Sequence, residues 1–168
     1  MTYNEYKIGA LRTATYPKQL RFLYLRLGIR EETGEVCGKL KKLIRDKGWV
    51  PGMPVMGEDR TAILLELGDV AWYCACFAHE RGTKISVHKD ADMIRRNIGS
   101  REGTENICTK ADDLANVATG ENFIVSFIYI EMIAQMLGSS LNEVCQMNLD
   151  KLASRAKRGK IQGSGDYR

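Results

Sequence analysis

Residues 61–78 read TAILLELGDVAWYCACFA, and Glu66 and Asp69 are the only charged side chains among them. The run has the length and composition of a core helix. At 100° per residue its two carboxylates stand about 60° apart, hence on one face, with Ala62, Tyr73, Cys76 and Phe77 as nearest neighbours there. Two like charges in apolar surroundings are unfavourable, an unpaired buried carboxylate costing on the order of several kcal/mol or more. A hard divalent cation is the simplest compensation, because Mg²⁺ takes oxygen ligands and leaves room for water and phosphate. The stretch predicts an all-α protein, a helical bundle with an acidic metal site against a core helix.

The rest of the chain fits that frame. Its 168 residues suit one domain with a sizeable core. A hydrophobic share of 44% beside 27% charged residues is that of a soluble globular protein. No stretch reaches the roughly 18 uninterrupted apolar residues of a membrane span. The beginning, MTYNEYKIGALRTATYPK, carries no apolar leader. Five cysteines without a CxxC pair predict reduced thiols and a cytoplasmic location, with Cys74 and Cys76 as small core hydrophobes. The net charge of +4 is uneven. Residues 151–168 hold Lys151, Arg155, Lys157, Arg158, Lys160 and Arg168 against Asp166, a net +5, so the other 150 residues sum to −1. Such a basic end can meet phosphates, a membrane surface or nucleic acid, or simply complement a helix dipole.

Helical periodicity dominates the whole length. A short helix is expected from Tyr3 to Thr15, stopped near Tyr16-Pro17. A long one follows from Lys18 to Asp46, with Leu23, Leu27, Leu40, Leu43 and Ile44 at helical spacing and Lys47-Gly48 as its end. GWVPGMPVMGED, residues 48–59, is a loop. The core helix starts at Asp59 to Thr61, either of which can cap it, and runs to Arg81-Gly82. Residues 83–121 are polar, with Gly99, Gly103 and Gly120 as breakers and short helices expected near 88–98 and 109–118. An apolar helix spans Glu121–Leu137, and a last one, capped by Ser139 or Ser140, runs to Arg158. The basic, glycine-rich tail 159–168 is expected to be flexible unless a ligand orders it.

A second acidic cluster should face Glu66 and Asp69, and EETGEV, residues 31–36, supplies it. Glu31, Glu32 and Glu35 cover roughly 100° of one helix and border a stripe that includes Val36, Leu40 and Leu43. ExxE alone is common on solvated faces; its pairing with an ExxD inside an apolar helix is what carries weight. Di-iron bundles use Glu-x-x-His, and neither His79 nor His88 lies three residues after a glutamate. All-oxygen coordination favours Mg²⁺, with Mn²⁺ as a substitute, over iron, zinc or copper. Such a cluster serves phosphate chemistry. Asn148, Lys151 and Arg155 fall within about 60° on one face of the last helix, so an amide, an ammonium and a guanidinium can grip phosphate together. A plain basic surface stripe is the alternative reading of that trio.

EETGEV followed by ELGDVAWY resembles the EExxE and ExxD signature of the MazG-like, all-α nucleoside triphosphate pyrophosphohydrolases. NLDKLASRAKRGKIQGSGDYR, residues 148–168, resembles the end of small bacterial and phage members. The resemblance implies a Mg²⁺-dependent enzyme that splits an NTP or dNTP between the α and β phosphates. It implies a helical bundle acting as a homodimer or larger homo-oligomer, with sites near the subunit contact. By position, Glu32, Glu35, Glu66 and Asp69 match the metal ligands. Glu31 matches the first glutamate of the motif, suited to a further ion or to orienting water. Asn148, Lys151 and Arg155 match positions that touch the triphosphate, and Trp72 and Tyr73 stand where a base can stack. Water activated by the ions would attack the α-phosphorus, Lys151 would stabilise phosphate charge, and Glu31 or Glu35 would take the proton.

The competing class is a non-catalytic helical module whose basic end binds nucleic acid or a partner. It predicts Lys or Arg partners for Glu66 and Asp69 and no bound metal. Nucleic acid is the weaker expectation, because the tail does not interleave aromatic and basic residues and no helix-turn-helix stands out.

Overall fold

The long apolar run forms the helix on which the others pack. The computed structural model describes residues 1–83 and 106–159. Among them are α1 (Tyr3–Leu11), a 3₁₀ turn (Lys18–Leu20), α2 (Arg21–Lys47), α3 (Gly57–Glu80), α4 (Ile107–Thr119), α5 (Phe123–Met136) and α6 (Leu141–Lys157), with no strand. The fold is all-α. α3 touches α1, α2, α5 and α6, and α4 lies against α2 and α5. By length and composition α3 could cross a membrane, yet 72% of its most apolar window is buried inside the protein, as a core helix requires. Leu64, Leu67, Val70, Ala71, Cys74, Ala75, Cys76, Phe77 and Ala78 are wholly enclosed. Each large apolar side chain sequestered this way contributes roughly 1.5–3 kcal/mol. Burial pushes the Cys74 and Cys145 thiols up to about 12, so they behave as small hydrophobes.

Local chemistry sets the ends. Thr2 and Glu5 form a capping box at the start of α1, and Ser140 Oγ accepts from the Glu143 N–H at 3.2 Å to start α6. Gly48, at φ 62°, closes α2 in the left-handed region by donating its N–H to the Leu43 carbonyl. Glu121 joins Arg26 of α2 and Arg81 beyond α3, each at 2.5 Å, pinning the α4–α5 turn to both helices.

Three expectations need correction. The first helix ends at Leu11 rather than Thr15. The core helix begins at Gly57 with Met56 as its N-cap, so neither Asp59 nor Thr61 caps it; Asp59 lies in the first turn and pairs with Lys47 at 2.5 Å. The inward face of α2 is Leu25, Ile29, Val36, Leu40 and Leu43, whereas Leu23, Leu27 and Ile44 point outward. The helix near 109–118 exists as α4, and Ala111, Leu114 and Ala118 bury its inner face. The helix expected near 88–98 and the tail from residue 160 lie outside the described residues.

Candidate metal centre

Glu32 belongs to the flank of the buried stripe of α2, one turn beyond Ile29, so its carboxylate emerges at the edge of the core. Glu66 and Asp69 emerge from α3 opposite it. Each of the three offers an oxygen within 4.8 Å of the other two. Glu66 is buried at 3% exposure, and Glu32 and Asp69 are half-buried.

Cations from two helices meet this charge. Lys39, on α2, places its ammonium 3.0 Å from Glu66 Oε1. Lys151, on α6, forms an ion pair with Asp69 Oδ2. Asn148 Nδ2 donates to Asp69 Oδ1 at 2.9 Å. Tyr6 fixes that amide: its hydroxyl donates to Asn148 Oδ1 at 3.0 Å, which turns the NH₂ toward Asp69. The Tyr6 hydroxyl keeps its proton, because burial, with nearby Asp69 adding to it, holds its pKa well above the usual range. Arg155 is buried, and its charge favours the ionised form of Asp69.

Four acids, with Glu35 counted beside Glu32, Glu66 and Asp69, face Lys39, Lys151 and Arg155 and leave a surplus of one negative charge. It falls on Glu32, whose pKa is pushed up to about 8, first by burial and then by repulsion from Asp69, Glu66 and Glu35, with Lys151 opposing. Asp69 is also raised, by burial above all, against the pull of Lys151. A cation at the three oxygens would relieve this.

Two glycines make the approach possible. A Cβ on Gly68 would lie 2.9 Å from Asn148 Cβ and 3.3 Å from the Val144 carbonyl, so only glycine lets α6 come close enough to reach Asp69. A Cβ on Gly28 would lie 2.1 Å from the Tyr73 ring, which occupies that space.

The other sequence-derived residues are distributed around the centre. Glu35 and Glu31 are exposed on α2 and stand outside the three-oxygen group; Glu35 still acts on Glu32 through its charge. Tyr73 is half-buried between α2 and Trp72, with the Trp72 and Tyr73 rings edge-on at 4.9 Å. Trp72 is enclosed, and its indole N–H donates to the Ala10 carbonyl at 3.0 Å and lies 3.1 Å from Thr13 Oγ1. Lys39, Tyr6 and Gly68 escaped the sequence reading. Lys39 was within reach, since it lies seven residues after Glu32, two turns along one face. Tyr6 was not, being 142 residues from its partner.

Three carboxylates with no imidazole or thiolate among them make a donor set for a hard divalent ion. A helical bundle bearing such a set, flanked by an amide and two ammonium groups, defines a class of all-α proteins with a candidate hard-cation centre. Residues 21–104, half of the chain, match the model of the MazG nucleotide pyrophosphohydrolase domain. The chain belongs to that family. It is also similar to the Gene 37 protein of Mycobacterium phage L5, 30% identical over 169 residues that cover 97% of this chain and 96% of the relative. No solved structure gives a significant match. The family match contains Glu32, Glu66 and Asp69 but stops before α6, whose Asn148 and Lys151 the geometry brings to Asp69.

Proposed function

We propose that the protein hydrolyses a nucleoside or deoxynucleoside triphosphate between the α and β phosphates, releasing the monophosphate and pyrophosphate, in a Mg²⁺-dependent reaction. The observation that carries this reading is the convergence of Glu32, Glu66 and Asp69 within 4.8 Å in a member of a nucleotide pyrophosphohydrolase family. Those three would hold the divalent ion, which supplies neutralisation of phosphate oxygens and a lower cost for ionising water. Lys151 and Asn148 present donors beside the centre, suited to phosphate oxygens once Asp69 turns to other partners. Arg155 adds positive charge on the same helix. Water oxygen bonds to the α-phosphorus as the bond from that phosphorus to the bridging oxygen breaks, and pyrophosphate leaves. Glu35 and Glu31, on the exposed rim of α2, are placed to accept the water's proton. Tyr73 is the better of the two aromatics for contact with a base, since the indole of Trp72 is engaged by α1.

The reading includes a homodimer. Leu20, Leu23 and Leu27 are more than half exposed and form one stripe that runs from the 3₁₀ turn into α2 and continues toward Glu31. The five free cysteines suit a reducing cytoplasm.

One observation favours a second reading, a non-catalytic module: Glu66 and Asp69 do have lysine partners. Pyrophosphate release from a panel of NTPs and dNTPs, with and without Mg²⁺, separates the two. The enzymatic reading expects turnover that needs Mg²⁺ and falls at least about 100-fold in Glu66→Gln, and by a comparable factor in Glu35→Gln. No turnover of any nucleotide, or unchanged turnover in both variants, refutes it.

A further inference from the structure

The ammonium of Lys39 occupies the position of a resident counter-ion. It stands 3.0 Å from Oε1 of Glu66, the most deeply buried acid of the centre, while Lys39 itself keeps 29% of its side chain exposed. A cation attached to the chain therefore meets one of the three acids that a divalent ion would need. It also has somewhere to go. Lys39 lines a cavity of about 230 Å³ between α2 and α3, beside Lys42, Leu43, Ala62 and Ile63. Ala62 and Glu66 are one turn apart on α3, so this cavity opens next to the acidic centre along the same helix. Lys39 thus borders both the carboxylate and that space, on a flexible four-carbon stem.

Resting on the metal-centre reading above, we infer that Lys39 is a positioning residue, a tethered cation that neutralises Glu66 in the metal-free protein and is displaced when a divalent ion binds. It stabilises the empty centre and correspondingly weakens its affinity for metal, because the incoming ion must break the Lys39–Glu66 pair before using that carboxylate. By linkage, whatever free energy holds Lys39 on Glu66 is subtracted from metal binding. Lys42 lines the same cavity, whereas the ion pairs of the centre among the described residues are those of Lys39 with Glu66 and Lys151 with Asp69. Lys42 reports what the loss of a nearby positive charge does by field alone.

The test is calorimetric titration of Mn²⁺ into nucleotide-free protein, together with thermal melts in EDTA and in saturating Mn²⁺. Lys39→Met should bind Mn²⁺ about 10-fold tighter than wild type, Lys39→Arg should restore the wild-type affinity to within about 3-fold, and Lys42→Met should shift it by less than about 3-fold. In melts, Lys39→Met should fall below wild type in EDTA and match it in saturating Mn²⁺. A merely structural lysine would lower both melts equally and leave the affinity unmoved. Wild-type affinity in Lys39→Met, or equal tightening in Lys42→Met, overturns the inference while leaving the metal centre intact. Absence of Mn²⁺ binding to the wild type, Lys39→Met and Lys42→Met alike sinks the metal-centre reading and the inference with it.

Discussion

Glu32→Gln should abolish most of the pH dependence of stability of the metal-free protein. A glutamate with an ordinary value near 4.5 is here pushed up to about 8 by burial and by the facing carboxylates. The folded state therefore holds a proton that the unfolded chain has lost between these two values. Stability from this group is fully present below pH 4.5 and drains away as pH rises through 8. At about 1.4 kcal/mol per unit of displacement, integration from pH 5.5 to 8.5 gives a loss of about 3 kcal/mol. Glutamine keeps the shape of the protonated acid and cannot ionise, so the variant should lose almost none of it. The assay is urea unfolding followed by circular dichroism, at the two pH values, in EDTA, for wild type and variant. The double difference cancels the titrations of groups remote from Glu32 and reports Glu32 together with its coupling to Asp69. Saturating Mg²⁺ should abolish the wild-type loss, since an ionised Glu32 is the form that binds and folded and unfolded states then carry the same charge there across this pH range. If the two proteins lose the same stability between pH 5.5 and 8.5 in EDTA, the charge surplus assigned to Glu32 does not exist.

Other substitutions probe the supports of the centre. Gly68→Ala forces a Cβ to 2.9 Å from Asn148 Cβ and should cost about 1–3 kcal/mol in unfolding experiments, with a larger proportional loss of turnover as α6 retreats from Asp69. Tyr6→Phe leaves Asn148 Oδ1 without its donor inside the protein; we expect about 1–3 kcal/mol of destabilisation and, in steady-state kinetics, a higher KM for nucleotide. Leu23→Asp with Leu27→Asp removes the exposed stripe of α2 without touching the core, so light scattering should report a monomer with a nearly unchanged melting temperature. A dimer that survives both aspartates would place the subunit contact elsewhere.

The parts of the fold that could be read from residues were those where burial and chemistry pull in opposite directions. Glu66 and Asp69 stood out because nothing else in eighteen residues was charged, and a cation between helices was the physical remedy. The failures have equally local causes. The N-terminal half of α2 is apolar on two sides, Leu25 and Ile29 on one and Leu23 and Leu27 on the other. Periodicity registers both stripes and cannot say which one meets α3. Asp59 and Thr61 offer a capping signal for the start of α3, whereas the helix begins at Gly57 behind Met56, an N-cap with no side-chain hydrogen bond. The Tyr6–Asn148 bond joins opposite ends of the chain, and no local pattern encodes it.

The first helix holds the centre from behind at two points, Tyr6 on the Asn148 amide and the Ala10 carbonyl under the Trp72 indole. A chain trimmed of its first thirteen residues would keep every acidic letter of both motifs. It would still leave the Asn148 carboxamide free to rotate and the α3 indole unanchored. Competence in this architecture is therefore a property of how the ends of the polypeptide are tied together, and a census of carboxylates alone would pass variants that have lost it.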